Sequence, residues 1–218
     1  MFKENSILFL WFLCVSLTVT AQIGNQGELT IAPSTPLSTM GVFDNAITGT
    51  VTNDGELHLK GDLINNGGFT YTTANGTQGI LVLDNTARQN LSGDGMIEVK
   101  RLDLNNTAGI ANATTVSIID EFNLAQGIFN NSDFGGTLWL EEDVSITGAS
   151  NYSHVEGEIM FTNKTTDVLP TGDAGIYQGV ALSVLGNGDN LYSAQYYQEN
   201  SNMLHDHGPK EASIKEIS

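Results

Sequence analysis

The chain has almost no cysteine, since Cys14 is the single one among 218 residues. Cys14 lies in an apolar run over residues 7–19, which ends in small residues before Gln22. This arrangement predicts a secretory signal peptide over residues 1–21. The run is too short for a membrane anchor, which needs ~20 apolar residues. Because cleavage removes Cys14, the exported chain has no disulfide, and its stability must come from backbone hydrogen bonds and packing.

Basic residues are also scarce. The sequence has 8 Lys and Arg against 25 Asp and Glu, which gives a formal net charge of −17. Such a surface repels phosphate backbones and anionic bilayers, so nucleic acids are excluded as partners. No second apolar run approaches spanning length, so we expect no membrane insertion after signal cleavage. We therefore predict a secreted or cell-surface protein whose partners are glycans or other surface proteins.

Apolar residues almost never recur with the 3.6-residue period of a helix. They alternate with a period close to 2, which is typical of strands with one buried face. The alternation is clearest in six segments: residues 80–83, 97–104, 116–118, 138–140, 144–146 and 159–161.

Asn- and Gly-containing corners separate these strands, as at Asn53-Asp54-Gly55 and Asn65-Asn66-Gly67. Both residue types tolerate the positive φ that a tight corner requires. The order of strand, corner, strand and short Gly-rich break recurs about every 20 residues, so we predict units that stack on their neighbours. Corner asparagines should then share amide hydrogen bonds from turn to turn. A hairpin-rich β-sandwich uses the same turn residues and is the alternative.

The predicted fold is all-β: a parallel β-solenoid (β-helix-like) over residues 22–155, followed by a partial antiparallel β-sandwich-like module over residues 156–198. Strand starts at Leu57, Ile80, Ile97, Val116 and Leu138 mark the turns. Residues 199–218 form a polar tail that we expect to be truncated or disordered. Because the second module looks unfinished, we also expect the chain to be a fragment of a larger protein.

The alternation divides the side chains of the solenoid into an inward and an outward set, and a register slip of one residue would exchange the two. The predicted inward set is Leu57, Leu59, Leu63, Leu81, Leu83, Ile97, Val99, Leu102, Leu104, Val116, Ile118, Phe122, Leu124, Leu138, Leu140, Val144 and Ile146. The predicted outward set is His58, Lys60, Glu98, Lys100, Asp103 and Trp139.

Three stretches of the sequence carry a resemblance to a known repeat. They comprise residues 55–63 with 65–67, residues 89–93 with 102–106 and 109–110, and residues 155–157 with 169–173 and Tyr177. Together they resemble a repeat that is common in large secreted and cell-surface proteins of the Bacteroidetes, often called adhesin-like or gliding-motility-associated. The resemblance implies export by the type IX route, extracellular β-solenoid stalks or scaffolds, and no shared catalytic motif.

The enzymatic alternative is a polysaccharide-degrading β-helix protein, which needs clustered carboxylates and a cationic base on one face. Lys60, Lys100 and Arg101 are the basic candidates in the stack. Since Lys100 and Arg101 are adjacent, we expect them to point to opposite faces. Asp103 and Glu98 are expected to share a face with Lys100. Cross-strand ion pairs on a solvated face explain this pattern more simply, so no catalytic residue is assigned.

No cofactor is assigned, although Ca²⁺ is the one ion for which the sequence offers oxygen ligands. The candidate ligands are Asp84-Asn85, Asp94, Glu141-Glu142-Asp143 and Asp173. They lack the spacing of an EF-hand or of a calcium-binding β-roll, so no metal ligand is assigned. His205-Asp206-His207 is interpreted as solvated tail, and His58 and His154 as lone surface residues.

Two further binding functions remain as alternatives. Trp139, Tyr71 and Tyr152 could stack on sugars, which favours carbohydrate binding. Threonines at residues 70–73 and 114–115 are typical of ice-binding solenoids, but we expect them not to align at one position of the turn. The sequence as a whole favours a non-catalytic structural or adhesive module that acts as a stiff spacer or a broad contact surface.

Overall fold

The alternating segments form short strands, and their lengths match the spacing of the corners. A computed structural model describes residues 22–162, 168–181 and 191–198, with the backbone of residues 213–217. The predicted signal peptide lies outside the described residues. The strands are β1 Ile23–Asn25, β2 Glu28–Ile31, β3 Pro36–Thr39, β4 Phe43–Asn45, β5 Thr50–Asn53, β6 Glu56–Leu59, β7 Leu63–Asn65, β8 Gly68–Thr70, β9 Ile80–Leu83, β10 Gln89–Ser92, β11 Ile97–Asn105, β12 Ile110–Asn112, β13 Thr115–Gln126, β14 Phe129–Asn130, β15 Thr137–Leu140, β16 Ser145–Thr147, β17 Val155–Glu156, β18 Ile159–Thr162, β19 Val168–Leu169, β20 Thr171–Asp173, β21 Ile176–Tyr177, β22 Val180–Ala181, β23 Leu191–Gln195 and β24 Ser213–Ile217.

Parallel pairing between successive turns arranges the strands into three faces. The first face consists of β1, β4, β7, β10, β12, β14, β17 and β20. The second face consists of β2, β5, β8, β15, β18 and the N-terminal halves of β11 and β13. The third face consists of β3, β6, β9, β16 and the C-terminal halves of β11 and β13. About seven turns stack in this way, and the predicted parallel β-solenoid is confirmed.

The length of a turn varies because the corners carry loops of different size. On the first face, the interval between paired residues ranges from 16 residues, from Val155 to Thr171, to 28 residues, from Leu63 to Leu91. The 17-residue step from Ile80 to Ile97 is not a turn. Ile80 pairs with Arg101, whereas Ile97 lies on the second face and pairs with Val116. That prediction was wrong because β11 bends around a corner and contributes to two faces.

The inward set predicted from the alternation forms one continuous core. All of its members are buried except Ile146, which is partly buried and packs against the core. None of the predicted outward residues is buried. Phe43, Leu91 and Phe129 extend the core along the first face. No turn could bury these side chains alone, so the core depends on the stack.

Antiparallel strands follow the solenoid, as the sequence predicts for the C-terminal part. Whereas the sequence pattern changes near residue 155, the parallel pairing continues through β18 and β20. Then β21 adds antiparallel to β20, β23 adds antiparallel to β18, and β19 pairs with β22 in a separate sheet. β24 pairs with β23, so part of the expected tail is a strand. The reversed strands cover the last turn on the first and second faces.

Asparagine side chains form a ladder inside the corner between the first and second faces, and all but Asn25 are buried. The Asn25 amide donates to Asn45 Oδ1 over 2.8 Å, and the Asn45 amide donates to Asn65 Oδ1 over 2.7 Å. A second ladder starts at Asn112, which donates to Asn131 Oδ1 over 2.7 Å. The expected sharing of amide hydrogen bonds between turns is therefore confirmed. Each amide satisfies polar groups that the corner would otherwise bury unpaired.

We predict that Asn45→Ala lowers the free energy of unfolding by about 1–3 kcal/mol, because it leaves partners of a fully buried amide unsatisfied. Urea unfolding of the chain from Gln22, followed by circular dichroism, measures the change. Asn75→Ala is the matched control, since Asn75 is exposed in a loop, and it should change stability by less than about 0.5 kcal/mol. Equal effects of the two substitutions would contradict a structural role for the ladder.

Some corners accept only glycine because the backbones of successive turns approach each other closely there. Gly127 has a φ of 102°, and a Cβ there would overlap the carbonyl oxygen of Asn106 in the preceding turn. Gly135 has a similarly positive φ of 75°, but open space surrounds it. Comparing alanine substitutions at Gly127 and Gly135 therefore distinguishes the cost of steric overlap from the cost of backbone strain.

Gly127→Ala should destabilise the chain by roughly 3 kcal/mol or more, since the carbonyl of Asn106 must move. Gly135→Ala should cost only the left-handed strain of about 1 kcal/mol. Thermal and urea unfolding of both variants measure the difference. If both variants lose the same stability, turn-to-turn contact at this corner is not the cause.

Candidate functional site

Charged side chains on the third face pair within and between turns. Glu56 Oε1 lies 3.0 Å from His58 Nε2 on the same strand. Lys60 Nζ lies 2.8 Å from Asp84 Oδ2 in the following turn, and His58 Nδ1 lies 3.9 Å from the same Asp84 oxygen. These four side chains, which we call the ion-pair array, therefore neutralise much of the charge on this part of the face.

Arg101 continues this array one turn later. Its Nε and Nη2 donate to Asp103 Oδ1 and Oδ2 over 2.7 and 3.0 Å, and Nη1 lies 3.2 Å from Glu121 Oε2. The hydrogen bond that Arg101 donates to Asp103 raises the pKa of Arg101 above its ordinary value. Asp103 thus shares a face with Arg101 and not with Lys100, which corrects the sequence prediction. A register shift between Val99 and Arg101, where β11 bends, breaks the alternation that the prediction assumed.

Each lysine and arginine within residues 22–162 has a partner. Lys100 Nζ lies 3.0 Å from Asp120 Oδ2, while Glu98 instead accepts a hydrogen bond from Thr70 Oγ1 over 2.7 Å. The Arg88 guanidinium lies 5.2 Å from the centre of the Phe134 ring. The three predicted basic candidates are therefore all held in ion pairs, and they belong to two separate groups.

Tyr71 lies at the end of β8, among carboxylates contributed by later turns. Its pKa is raised, first by burial and then by the negative charges of Glu98, Asp120 and Glu141. Both causes disfavour the phenolate, because burial removes hydration and the carboxylates repel a second negative charge.

The three aromatic residues predicted to bind sugars do not form one platform. Trp139 lies on the second face, in register between Ser117 and Met160. It is half-buried, and its Nε1 has no hydrogen-bond partner among the described residues. Tyr152 lies at a different corner and is 83% exposed. Of the three, Tyr152 presents the most ring surface to solvent.

Threonines on the second face align in three turns, although two of them are not among the threonines considered in the sequence. Thr30, Thr52 and Thr70 occupy the same outward position in three successive turns. In the next turn Glu98 takes this position in place of a threonine and accepts a hydrogen bond from the Thr70 hydroxyl. Later turns place Ser117 and Trp139 there. Thr70 and Thr115 do not share a position, as the sequence predicts, because Ser117 takes the position equivalent to Thr70 in the later turn. The aligned threonines cover three turns of the stack.

The histidines have different environments. His58 is half-exposed in the ion-pair array, whereas His154 is fully buried, which corrects its prediction as a surface residue. His154 Nδ1 lies 3.0 Å from the carbonyl oxygen of Ser150, and Nε2 lies 3.6 Å from Glu156 Oε1. A Cβ on Gly172 would overlap the imidazole ring, so the ring fills space between two turns. The predicted His205-Asp206-His207 segment lies outside the described residues.

The structure does not bring the predicted calcium ligands together. Asp84 binds Lys60, Glu141 accepts a hydrogen bond from Ser117, and Asp173 accepts one from the backbone of Gln198. Within residues 22–162, 168–181 and 191–198, no three His, Cys, Asp or Glu side chains are grouped in a way that could hold a metal ion.

A polar cleft follows the corner between the third face and the first face of the next turn. Two open clefts of about 380 and 390 Å³ are adjacent, since Thr107 and Gln126 line both, and we call the two together the corner cleft. Its lining is Lys60, Asp84, Asn85, Thr86, Asn105, Thr107, Ala125, Gln126, Gly127, Ser150 and Tyr152. The sequence analysis selected Lys60, Asp84, Asn85 and Tyr152, but it assigned no binding role to Asn105 or Gln126. The signal that could have found them is the recurrence of Asn105-Asn106 and Gln126-Gly127 at equivalent corners.

No protein-family model, no curated protein and no solved structure matches this chain. Among the residues that the structure describes, no helix has the length and apolar character needed to cross a membrane. Inferences about function therefore rest on the geometry of the faces and corners.

We expect Tyr71 to ionise above the ordinary tyrosine pKa of about 10. The stability that its protonated form contributes should be fully present below that pH and should be lost as pH rises through the higher, folded-state pKa. The difference in phenolate absorbance between the unmodified chain and Tyr71→Phe isolates this one titration.

Glu98→Gln should lower the pKa of Tyr71 because it removes the strongest of the neighbouring negative charges. Glu158→Gln, at an exposed carboxylate that is not among the causes, serves as the control. An unchanged titration in Glu98→Gln would contradict the proposed electrostatic coupling.

Proposed function

We propose that this chain is an exported, non-catalytic structural or adhesive module that acts as a stiff spacer with broad contact surfaces. The observation that carries this proposal is the unbroken parallel pairing through about seven turns around one core. Each turn is hydrogen-bonded to the next on up to three faces, so bending the stack would break many bonds at once.

The surface chemistry favours contact over catalysis. Lys60, Lys100 and Arg101 each hold a carboxylate within 3.2 Å. A cation used as a general base must lose its proton, and a neighbouring carboxylate opposes that loss because it favours the charged form. The paired charges instead fit a surface that stays soluble and makes many weak polar contacts.

Export and attachment to a larger surface protein complete the proposal. The apolar run at residues 7–19 supports cleavage before Gln22. The absence of cysteine after residue 14 is compatible with an extracellular stack stabilised by ladders. The resemblance to Bacteroidetes adhesin-like repeats supports type IX export and a role in a stalk or scaffold.

The test compares retention with turnover on a panel of neutral and acidic polysaccharides. The chain from Gln22 should bind immobilised partners without releasing new reducing ends or unsaturated products. Turnover that Lys100→Ala abolishes, and that Arg88→Ala leaves intact, would overturn the proposal in favour of the enzymatic alternative. Arg88 is a suitable control because it lies against Phe134, apart from the Lys100 pair with Asp120.

A further inference from the structure

The corner cleft combines a fixed backbone with side chains that the fold does not use. Asn105, Thr107 and Gln126 are exposed, and their side chains make no hydrogen bond with another described residue. The neighbouring Asn106 is different, because it is buried and donates to Gln89 Oε1 over 2.9 Å and to the Ala87 carbonyl over 2.8 Å. Of these two adjacent amides, Asn106 stabilises the corner and Asn105 faces the cleft.

These groups match the hydroxyls of a sugar. An amide side chain both donates and accepts hydrogen bonds, as a hydroxyl does, so Asn105, Gln126 and Thr107 can each pair with a group that has both functions. The cleft does not need a charged ligand to balance its own charges, because Lys60 and Asp84 at one end already form an ion pair over 2.8 Å.

Tyr152 lies at the other end of the cleft, with its ring in solvent and its backbone held in place. The Tyr152 carbonyl accepts a hydrogen bond from Gly127 N over 2.9 Å, and its N–H donates to Ser150 Oγ over 3.3 Å. Ser150 and Ser153 close the turn through two backbone hydrogen bonds of 2.8 and 3.0 Å. A rigidly mounted, exposed aromatic ring offers an apolar platform at low entropic cost.

The shape of the cleft fits a linear ligand that is built from repeating units. Its lining comes from the same corner of successive turns, from Lys60 in one to Tyr152 four turns later. Since stacked strands lie ~4.8 Å apart, the cleft extends for about 19 Å along the stack. That turn-to-turn spacing is similar to the advance of one sugar unit in an extended polysaccharide, so successive corners can meet successive units.

We infer that the corner cleft binds a linear, uncharged polysaccharide, with Tyr152 stacking on one sugar ring and Asn105, Thr107 and Gln126 bonding to hydroxyls. The inference rests on the proposed function, because it names a ligand class for one of its contact surfaces. The net charge of −17 excludes polyanionic chains as the preferred ligand.

Affinity electrophoresis of the chain from Gln22 through gels containing galactomannan, xylan or mixed-linkage glucan tests the inference, with alginate and pectate as acidic comparisons. At least one neutral polymer should retard the chain, and alginate and pectate should not. Tyr152→Ala should weaken the retardation about tenfold, the size expected for one lost aromatic contact. The double substitution Asn105→Ala with Gln126→Ala should have a similar effect of about tenfold.

Ile47→Ala is the matched control because Ile47 is equally exposed, at 82%, but lies at another corner. Thermal unfolding should be unchanged in all variants, since the substituted side chains support no contact of the fold. Oligosaccharides of the retained polymer should bind more tightly with length until they fill the cleft.

Failure to bind any of the neutral polymers, or stronger binding of alginate or pectate, would overturn the inference and leave the spacer proposal standing. Retardation that both cleft variants keep would also overturn it, since the contact surface would then lie elsewhere on the stack. Turnover of a bound polymer would instead count against the proposed function.

Discussion

The parallel hydrogen-bonded ladder between successive turns is the interaction on which the rest of this structure depends. Each strand is too short to bury its apolar residues alone, and each turn leaves one edge of its backbone unpaired. Stacking solves both problems at once, because the next turn supplies partners for the N–H and C=O groups and covers the core residues. Antiparallel strands β21 and β23 pair with the last turn on two of its faces. Stability is therefore a property of neighbouring turns and of no single segment.

The corners adjust this regular stack to an irregular sequence. Intervals between paired residues vary from 16 to 28 because extra residues leave the stack as loops while the strands stay in register. Inside the corners, asparagine amides and glycines allow the chains to approach closely. A fold of this kind separates its functions in space: inward residues maintain the ladder, and outward corner residues such as Asn105 and Gln126 remain available for contact.

Strands, corners and burial could be predicted because they depend on local alternation. Leu57 and Leu59 are inward for the same reason that His58 is outward, namely the geometry of an extended chain. Errors arose where the chain turns from one face to the next. At Lys100 the strand bends and two adjacent residues both face solvent, so Asp103 joins Arg101. The prediction that His154 lies at the surface was wrong because the local pattern does not reveal which residues of the next turn cover its side chain.

The amino-acid sequence alone determined that the chain forms short strands, which side chains of each strand face inward, and which corners need asparagine or glycine. These properties follow from backbone geometry within a few residues. Only the tertiary structure decided which residues become neighbours across turns. Tyr152 and Gln126 line the same cleft, and Lys60 forms an ion pair with Asp84, because loop lengths at the corners set the register of the stack. The free energy of packing the whole core selects that register. A binding surface assembled from successive turns has no local signature, so it emerges only when the turns are stacked.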